Sequence, residues 1–529
     1  MTQWPRNADM IAYVHTIARN ACMFSTRVRL RRLSLSRSHG WLPPWHAGAC
    51  LLAGMLALPH AAFCGDLIVR NTGTADVTCH VVEGSRAGGI LTVRAHDVAH
   101  VSAPAGGMIG SVDCNGLKTR EMHITPGGMD GYLVLNGRQK RVLNVALYPF
   151  IPSLPQGNFR ALVQHVIAVY QERNPDVLLN AVMNEDVDIY SPTRLLRLLS
   201  GSGYDVVELD TLYIAFLAAH GRIAPVRISG DEPWQPGLDA VQYHGGTYAV
   251  PSWLCLDFLY SYSPDMRNIH GLEQLLAFVQ REPVEKRHIS ADFSGTTRLP
   301  SLYMDGYVQR YGYDHIRDAF RLPPDPQVVA SLQRLAVTCT DGKENHCVDG
   351  TSSRAADGEV DRIFAEGRSG LDIGFSEQSF YINHFNPAQA ASLVMIPVPW
   401  GENGQSMLYS DAFVTNRASC AVHRTCRADS TDFTTMMTGR EMKTYIAFSH
   451  DLPEGTPARH LLVGTRPFWD QQAVRDDPVY RQVRDVVATA QAFPHDLSES
   501  LRDRMARAVC LMLRKDIPQY DCDMTRGPM

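Results

Sequence analysis

Leu143-Asn-Val-Ala-Leu-Tyr148-Pro149, then Phe159 to Arg173, then Val177 to Val182 form a run of strand, helix and strand within forty residues. The first piece is a short apolar run closed by proline. The second places Phe159, Leu162, Val163, Val166, Ile167 and Tyr170 at helical spacing. The third is the next strand of the run. Downstream, Tyr204-Asp-Val-Val-Glu-Leu-Asp210 reads as a further strand leading into an apolar helix from Leu212 to Ala219, and Tyr248-Ala-Val-Pro251 ends another strand just before Cys255. Strands alternating with helices predict an α/β fold with parallel pairing. Amphipathic stretches at Val479–Phe493 and Leu497–Leu513 close the chain, which has no internal repeat and no low-complexity tract.

Upstream of this core, residues 65–140 change character. Asp66–Asn71 alternates as a strand. Apolar runs follow at Val77–Val82, Ile90–Val93, Val98–Val101 and Met108–Val112, and Tyr132-Leu-Val-Leu-Asn136-Gly137 ends in a turn signal. This predicts a small all-β module of about 75 residues, whose core is small enough to benefit from a staple. Further upstream, residues 23–46 carry Arg27, Arg29, Arg31, Arg32 and Arg37 and no acid, and Ala47–Leu58 is an apolar run of twelve. That run is too short to span a bilayer stably. With Ala61-Ala-Phe-Cys64-Gly65 behind it, it reads as a secretory leader cut near Cys64. The expected organisation is a leader at 1–64, a β module at 65–140 and a larger domain at 141–529. The chain is expected to be exported, to the periplasm or the medium.

With 45% hydrophobic and 20% charged residues in 529, the composition is globular, and the net charge of −5 offers no basic field for nucleic acid. Of twelve cysteines, Cys22, Cys50 and Cys64 fall in the leader. Eight of the others pair naturally by neighbourhood, as 79/114, 339/347, 420/426 and 510/522, although eight cysteines permit 105 connectivities. An oxidising compartment favours disulfides, which leaves Cys255 as the odd thiol, either nucleophilic or inert in the core. Ligand sites in open α/β sheets lie outside the carboxyl ends of the strands. Tyr148, Asp210, Cys255 and Asp411 all lie at or near predicted strand ends, and so are expected to share one site.

Five segments carry a family resemblance: Leu147-Tyr148-Pro149-Phe150-Ile151-Pro152, Val207-Glu208-Leu209-Asp210-Thr211, Tyr248-Ala-Val-Pro251 ahead of Trp253-Leu254-Cys255, Ile373-Gly-Phe375-Ser-Glu377, and Tyr409-Ser-Asp411. In this order and spacing they resemble thiaminase I, from about Val142 to the C-terminus. The resemblance implies a two-lobed fold like that of type II periplasmic solute-binding proteins, with mixed sheets and a site in the cleft. It implies that Cys255 is the nucleophile and Glu377 the general base, and that Tyr148, Asp210, Tyr409 and Asp411 line a pyrimidine pocket. The implied substrates are thiamine or an analogue and a nucleophilic co-substrate, with no cofactor and no metal. Two departures accompany it. Phe375 stands where the family has tyrosine, and between Thr340 and Gly374 the only large aromatic residue is Phe364.

The resemblance does not reach the β module, whose partner stays open. The rival reading is a non-catalytic binding protein for thiamine or a related pyrimidine, which needs neither thiol nor base. A cysteine hydrolase would require a histidine paired with the thiol, and none of the twenty histidines sits in a recognisable motif of that kind. Cys339…His346-Cys347 and Cys420…His423…Cys426 hold metal-ligand types, but export favours bridges over zinc thiolates. Trp253 and Asp257 flank the thiol; Trp253 is a candidate shield of the cleft, and Asp257 is left outside the expected site.

Overall fold

The structure is a computed structural model that describes residues 66–83, 86–102, 108–123, 131–154, 159–183, 189–283, 288–295, 297–339, 344–401, 405–495 and 501–522. The expected leader and the start of the last predicted helix, 497–500, lie outside these residues. The chain divides into two units, 1–138 and 139–529.

In the first unit, alternating short apolar runs bounded by glycine become strands, because neither their length nor their period suits a helix. They are β1 (Asp66–Asn71), β2 (Val77–Glu83), β3 (Arg86–Val93), β4 (Val98–Ser102), β5 (Met108–Ile109), β6 (Val112–Cys114), β7 (Leu117–Lys118), β8 (Met122–His123) and β9 (Gly131–Leu135). They pair as β4-β1-β9, β3-β2-β6-β7 and β5-β8. The run read as one strand over Met108–Val112 is broken at Gly110, whose N–H bonds Val82 O and whose carbonyl accepts from Met122. Cys79 and Cys114 are register partners on β2 and β6 and form a disulfide.

The second unit holds two main sheets. Its strands are β10 (Arg141–Ala146), β11 (Val177–Val182), β12 (Val206–Asp210), the small hairpin β13 (Gln242–Tyr243) and β14 (Gly246–Thr247), β15 (Val250–Cys255), β16 (Asp257–Ser261), β17 (Ile289–Ser290), β18 (Leu371–Phe375), β19 (Val394–Pro397), β20 (Met407–Thr415), β21 (Leu462–Val463) and β22 (Gln491–Ala492). The larger sheet runs β11-β10-β12-β20-β15-β21, with β22 added alongside β20; the smaller runs β17-β18-β16-β19. β11, β10 and β12 are parallel, while β20 runs antiparallel to both β12 and β15. β11 is buried at every position, and its one polar residue, Asn180, donates to Asn144 Oδ1 on β10 at 3.0 Å. The helix Arg160–Arg173 buries Leu162, Val163, Val166, Ile167 and Tyr170 on one face, the stripe its spacing predicted.

Two expectations are corrected. Tyr248–Pro251 does not end a strand: β15 starts at Val250 and runs on to Cys255, which sets the thiol at the strand's end. The helix predicted over Val479–Phe493 stops at Thr489, and Gln491–Ala492 joins β20 as β22 because backbone pairing there satisfies groups that a continued helix end would leave open.

Only Leu256, fully buried, separates β15 of the larger sheet from β16 of the smaller. The chain therefore passes from one lobe to the other immediately after Cys255. Besides Cys79–Cys114, disulfides join Cys339–Cys347, Cys420–Cys426 and Cys510–Cys522. Among the described residues Cys255 is the one free cysteine, and no helix is long and apolar enough to cross a membrane.

Candidate active site

β10, β12 and β15 run in the same direction, so their carboxyl ends lie along one edge of the larger sheet. They deliver Tyr148, Asp210 and Cys255 respectively. β20 runs the opposite way, and its first half reaches the same edge: Asp411 is the register partner of Asp210, and Tyr409 that of Cys255. Four separate stretches of chain thus contribute five of the six predicted site residues to one edge.

The sixth comes from the smaller sheet. Glu377 follows β18 and stands at the N-terminus of the helix Gln378–Phe385, where the helix dipole favours a negative group. Its carboxylate makes no capping bond. Instead it accepts from Cys255 Sγ, 3.4 Å from Oε2 and 3.6 Å from Oε1, and from the Ser376 hydroxyl at 3.0 Å. Ser376 N–H bonds the carbonyl of Leu256 at 3.0 Å, which pins the base-bearing turn to the crossover between the sheets. Burial pushes the Cys255 thiol well above its ordinary value, and the negative charges of Glu377, Asp257 and Asp411 add to this. The Glu377 carboxyl is raised by burial too, restrained by Arg298 and the Ser376 bond. A carboxylate that holds its proton more readily is a better base for a neighbouring thiol.

The rest of the edge is acidic. Asp411 is buried, and its carboxyl is pushed far up by burial and by the facing Asp210 and Glu208 charges. Asp210 is raised by burial and held back by the Leu212 N–H, 2.8 Å from its Oδ1. Two cross-strand carboxylates this close favour retention of a proton between them. Aromatic rings complete the wall. The Tyr148 and Tyr190 hydroxyls are 3.1 Å apart. Tyr409 lies edge-on to Phe375 at 6.4 Å and tilted against Phe493 at 5.3 Å, and its hydroxyl has no hydrogen-bond partner. Phe364 does not reach this wall: it is buried against Tyr262, with ring centroids 4.7 Å apart.

Sequence reasoning missed a buried network behind this edge. Lys443 Nζ donates to Ser252 Oγ at 2.5 Å, Ser252 donates to Glu208 Oε1, and Glu208 Oε2 accepts the Tyr148 N–H at 3.0 Å. Lys443 also lies 3.2 Å above the Trp253 ring, which makes Trp253 a core platform rather than a shield. Burial lowers the Lys443 ammonium to about 7. Its one sequence signal is position: it sits among Met442, Ile446 and Ala447 on the buried stripe of the helix Arg440–Ala447. Asp257, left outside the expected site, pairs with Arg298 at 2.7 Å in full burial. Among the described residues no three His, Cys, Asp or Glu side chains gather as a metal site.

No protein-family model matches the sequence, and no curated protein matches it. Solved structures do match. Thiaminase I from Bacillus thiaminolyticus aligns with a TM-score of 0.55 at 19% identity, over 71% of this chain and 99% of that one. Clostridium botulinum thiaminase I in complex with thiamin aligns with a TM-score of 0.56 at 16% identity, over 70% and 100%. Maltose-bound MalE3 of T. maritima aligns with a TM-score of 0.54 at 13% identity, over 71% and 95%. The chain therefore has the α/β fold shared by thiaminase I and the periplasmic sugar-binding proteins.

Proposed function

We propose that the protein is an exported, thiamine-degrading base-exchange transferase. One observation carries the reading: the free thiol of Cys255 donates to the Glu377 carboxylate across the junction of the two lobes, beside the Asp210–Asp411 carboxylates. Solute capture alone requires no such thiol–carboxylate pair. A structural neighbour that holds thiamin supports the substrate class.

Thiamine joins an aminopyrimidine to a cationic thiazolium through a methylene bridge. In the proposed reaction Glu377 takes the thiol proton, the Cys255 thiolate adds to the electron-poor pyrimidine, and the thiazole departs as a neutral molecule. Glu377 next releases that proton to solvent and accepts the proton of an incoming amine or other base, which takes up the methylene as the thiolate is expelled; the Glu377 carboxyl then returns the proton to the thiolate, so one proton is released per turnover. Splitting the displacement in this way is covalent catalysis. The raised thiol pKa suits a cationic substrate, whose arrival favours the thiolate through its charge. Asp210 and Asp411 can accept from the pyrimidine amino group and from a protonated ring nitrogen as charge-assisted contacts. Tyr148 and Tyr409 offer ring faces and edges to the heterocycle. The four disulfides suit an oxidising compartment.

The fold is shared with non-catalytic sugar-binding proteins, which keeps capture of thiamine without chemistry as the second reading. Incubating the purified protein with thiamine and an aromatic amine separates the two. The transferase yields a pyrimidine–amine adduct by mass spectrometry, and Cys255→Ser binds thiamine without forming it. Tight binding with no adduct from the unaltered protein establishes the second reading instead.

A further inference from the structure

Arg298 plays no part in the chemistry just described, yet it is only 8% exposed and touches both reactive segments. It opens the helix Arg298–Tyr311, where the positive end of the helix dipole disfavours a cation. Its Nη1 bonds Asp257 Oδ1 at 2.7 Å, and its guanidinium carbon lies 3.6 Å from the centre of the Phe375 ring. Asp257 and Phe375 are register partners on β16 and β18. The first stands two residues after Cys255, the second two residues before Glu377. Asp257 Oδ2 has no hydrogen-bond partner, so the ion pair is single-contact and not a fork. A buried pair of this kind adds little net stability relative to well-packed apolar side chains. Phe375 lacks the hydroxyl of a tyrosine and leaves an open ring face, which the guanidinium covers.

We propose that Arg298 is a positioning residue that acts through Cys255 and Glu377: held by Asp257 and Phe375, it supplies the fixed positive charge that lets the thiol–carboxylate pair ionise inside the fold. The inference rests on the transferase reading for its purpose but not for its test. The other groups facing the pair are negative or neutral: Asp257 from β16, Asp411 and Tyr409 from β20. Those sharing Arg298 are Asp257, Asp292, Asp361, Asp372 and Tyr260. Among these groups Arg298 is the cation that lowers both Cys255 and Glu377.

The test is the pH profile of Cys255 alkylation by iodoacetamide on the non-reduced protein, which reads thiolate formation without any thiamine. The profile reports the ionisation of the pair as a unit. Arg298→Gln is expected to move its midpoint up by about one unit, or about tenfold slower labelling below the midpoint. Asp257→Asn, which removes a negative charge and keeps the cation, is expected to move it down. Arg298→Lys should stay near the wild-type profile. Shifts of opposite sign are not the mark of a packing defect, which would move both variants alike. If Arg298→Gln does not fold, Arg298→Lys and Asp257→Asn carry the test. An unmoved midpoint in folded Arg298→Gln, a like shift in Asp257→Asn, or failure of all three variants to fold overturns the proposal. Normal alkylation profiles with no thiamine turnover would instead overturn the transferase reading alone.

Discussion

Replacing Glu377 by glutamine removes a charge and a base while keeping the shape, and the geometry predicts opposite effects on two measurements. The carboxylate lies 3.4 Å from Cys255 Sγ, with no intervening group. An amide cannot take the thiol proton, so turnover of thiamine is expected to fall by ~10²–10⁴-fold, the usual weight of a general base. That corresponds to about 2.7–5.4 kcal/mol of barrier. The thiol itself should respond the other way. Glu377 holds it protonated, first as a neighbouring negative charge and second as the acceptor of its S–H. A like charge this near shifts a pKa by about 1–3 units. Glu377→Gln should therefore lower the alkylation midpoint of Cys255 by at least about one unit and speed labelling at neutral pH. Parallel assays of iodoacetamide labelling and adduct formation read both effects on one preparation. A variant that labels faster but turns over slower identifies Glu377 as the acceptor of the proton. If turnover stays within about threefold of wild type, the base assignment is wrong.

Three further outcomes are expected. Asp411→Asn should weaken thiamine binding about 10–100-fold, the worth of one charge-assisted contact, as read by calorimetry on a Cys255→Ser background. A chain beginning at Gln139 should fold and keep its turnover, because every residue of the proposed site belongs to the second unit; a soluble but inactive product would make the β unit part of the site. Asp372 is a fully buried residue of β18, accepts from Ser290 at 2.7 Å, and is pushed by burial from 3.8 up to about 6. The folded chain thus keeps a proton that the unfolded chain releases, so this contribution is full below about pH 4 and is lost as pH rises through about 6. Asp372→Asn should flatten the urea-midpoint profile over that interval.

The sequence by itself determined whatever depends on neighbours along the chain. Period and punctuation set β11 at Val177–Val182, the buried face of the helix Arg160–Arg173 and the strand character of residues 66–135. Parity and spacing singled out Cys255, because eight cysteines had close partners in sequence and one did not. Strand-end position linked Tyr148, Asp210, Cys255 and Asp411, since parallel strands send their carboxyl ends to one edge. Glu377 was legible only through the motif around it, because nothing local to Phe375-Ser-Glu marks a base. What only tertiary structure decided is the environment across the sheets. The crossover at Leu256 brings a helix start 122 residues away against the thiol. Lys443 and Ser252 meet Glu208 from separate elements, and Arg298 packs on the paired Asp257 and Phe375 of β16 and β18. A lysine on an amphipathic helix and an arginine at a helix start both look solvated in one dimension. Burial turns them into fixed charges, and burial is a property of the packed chain that no local pattern carries.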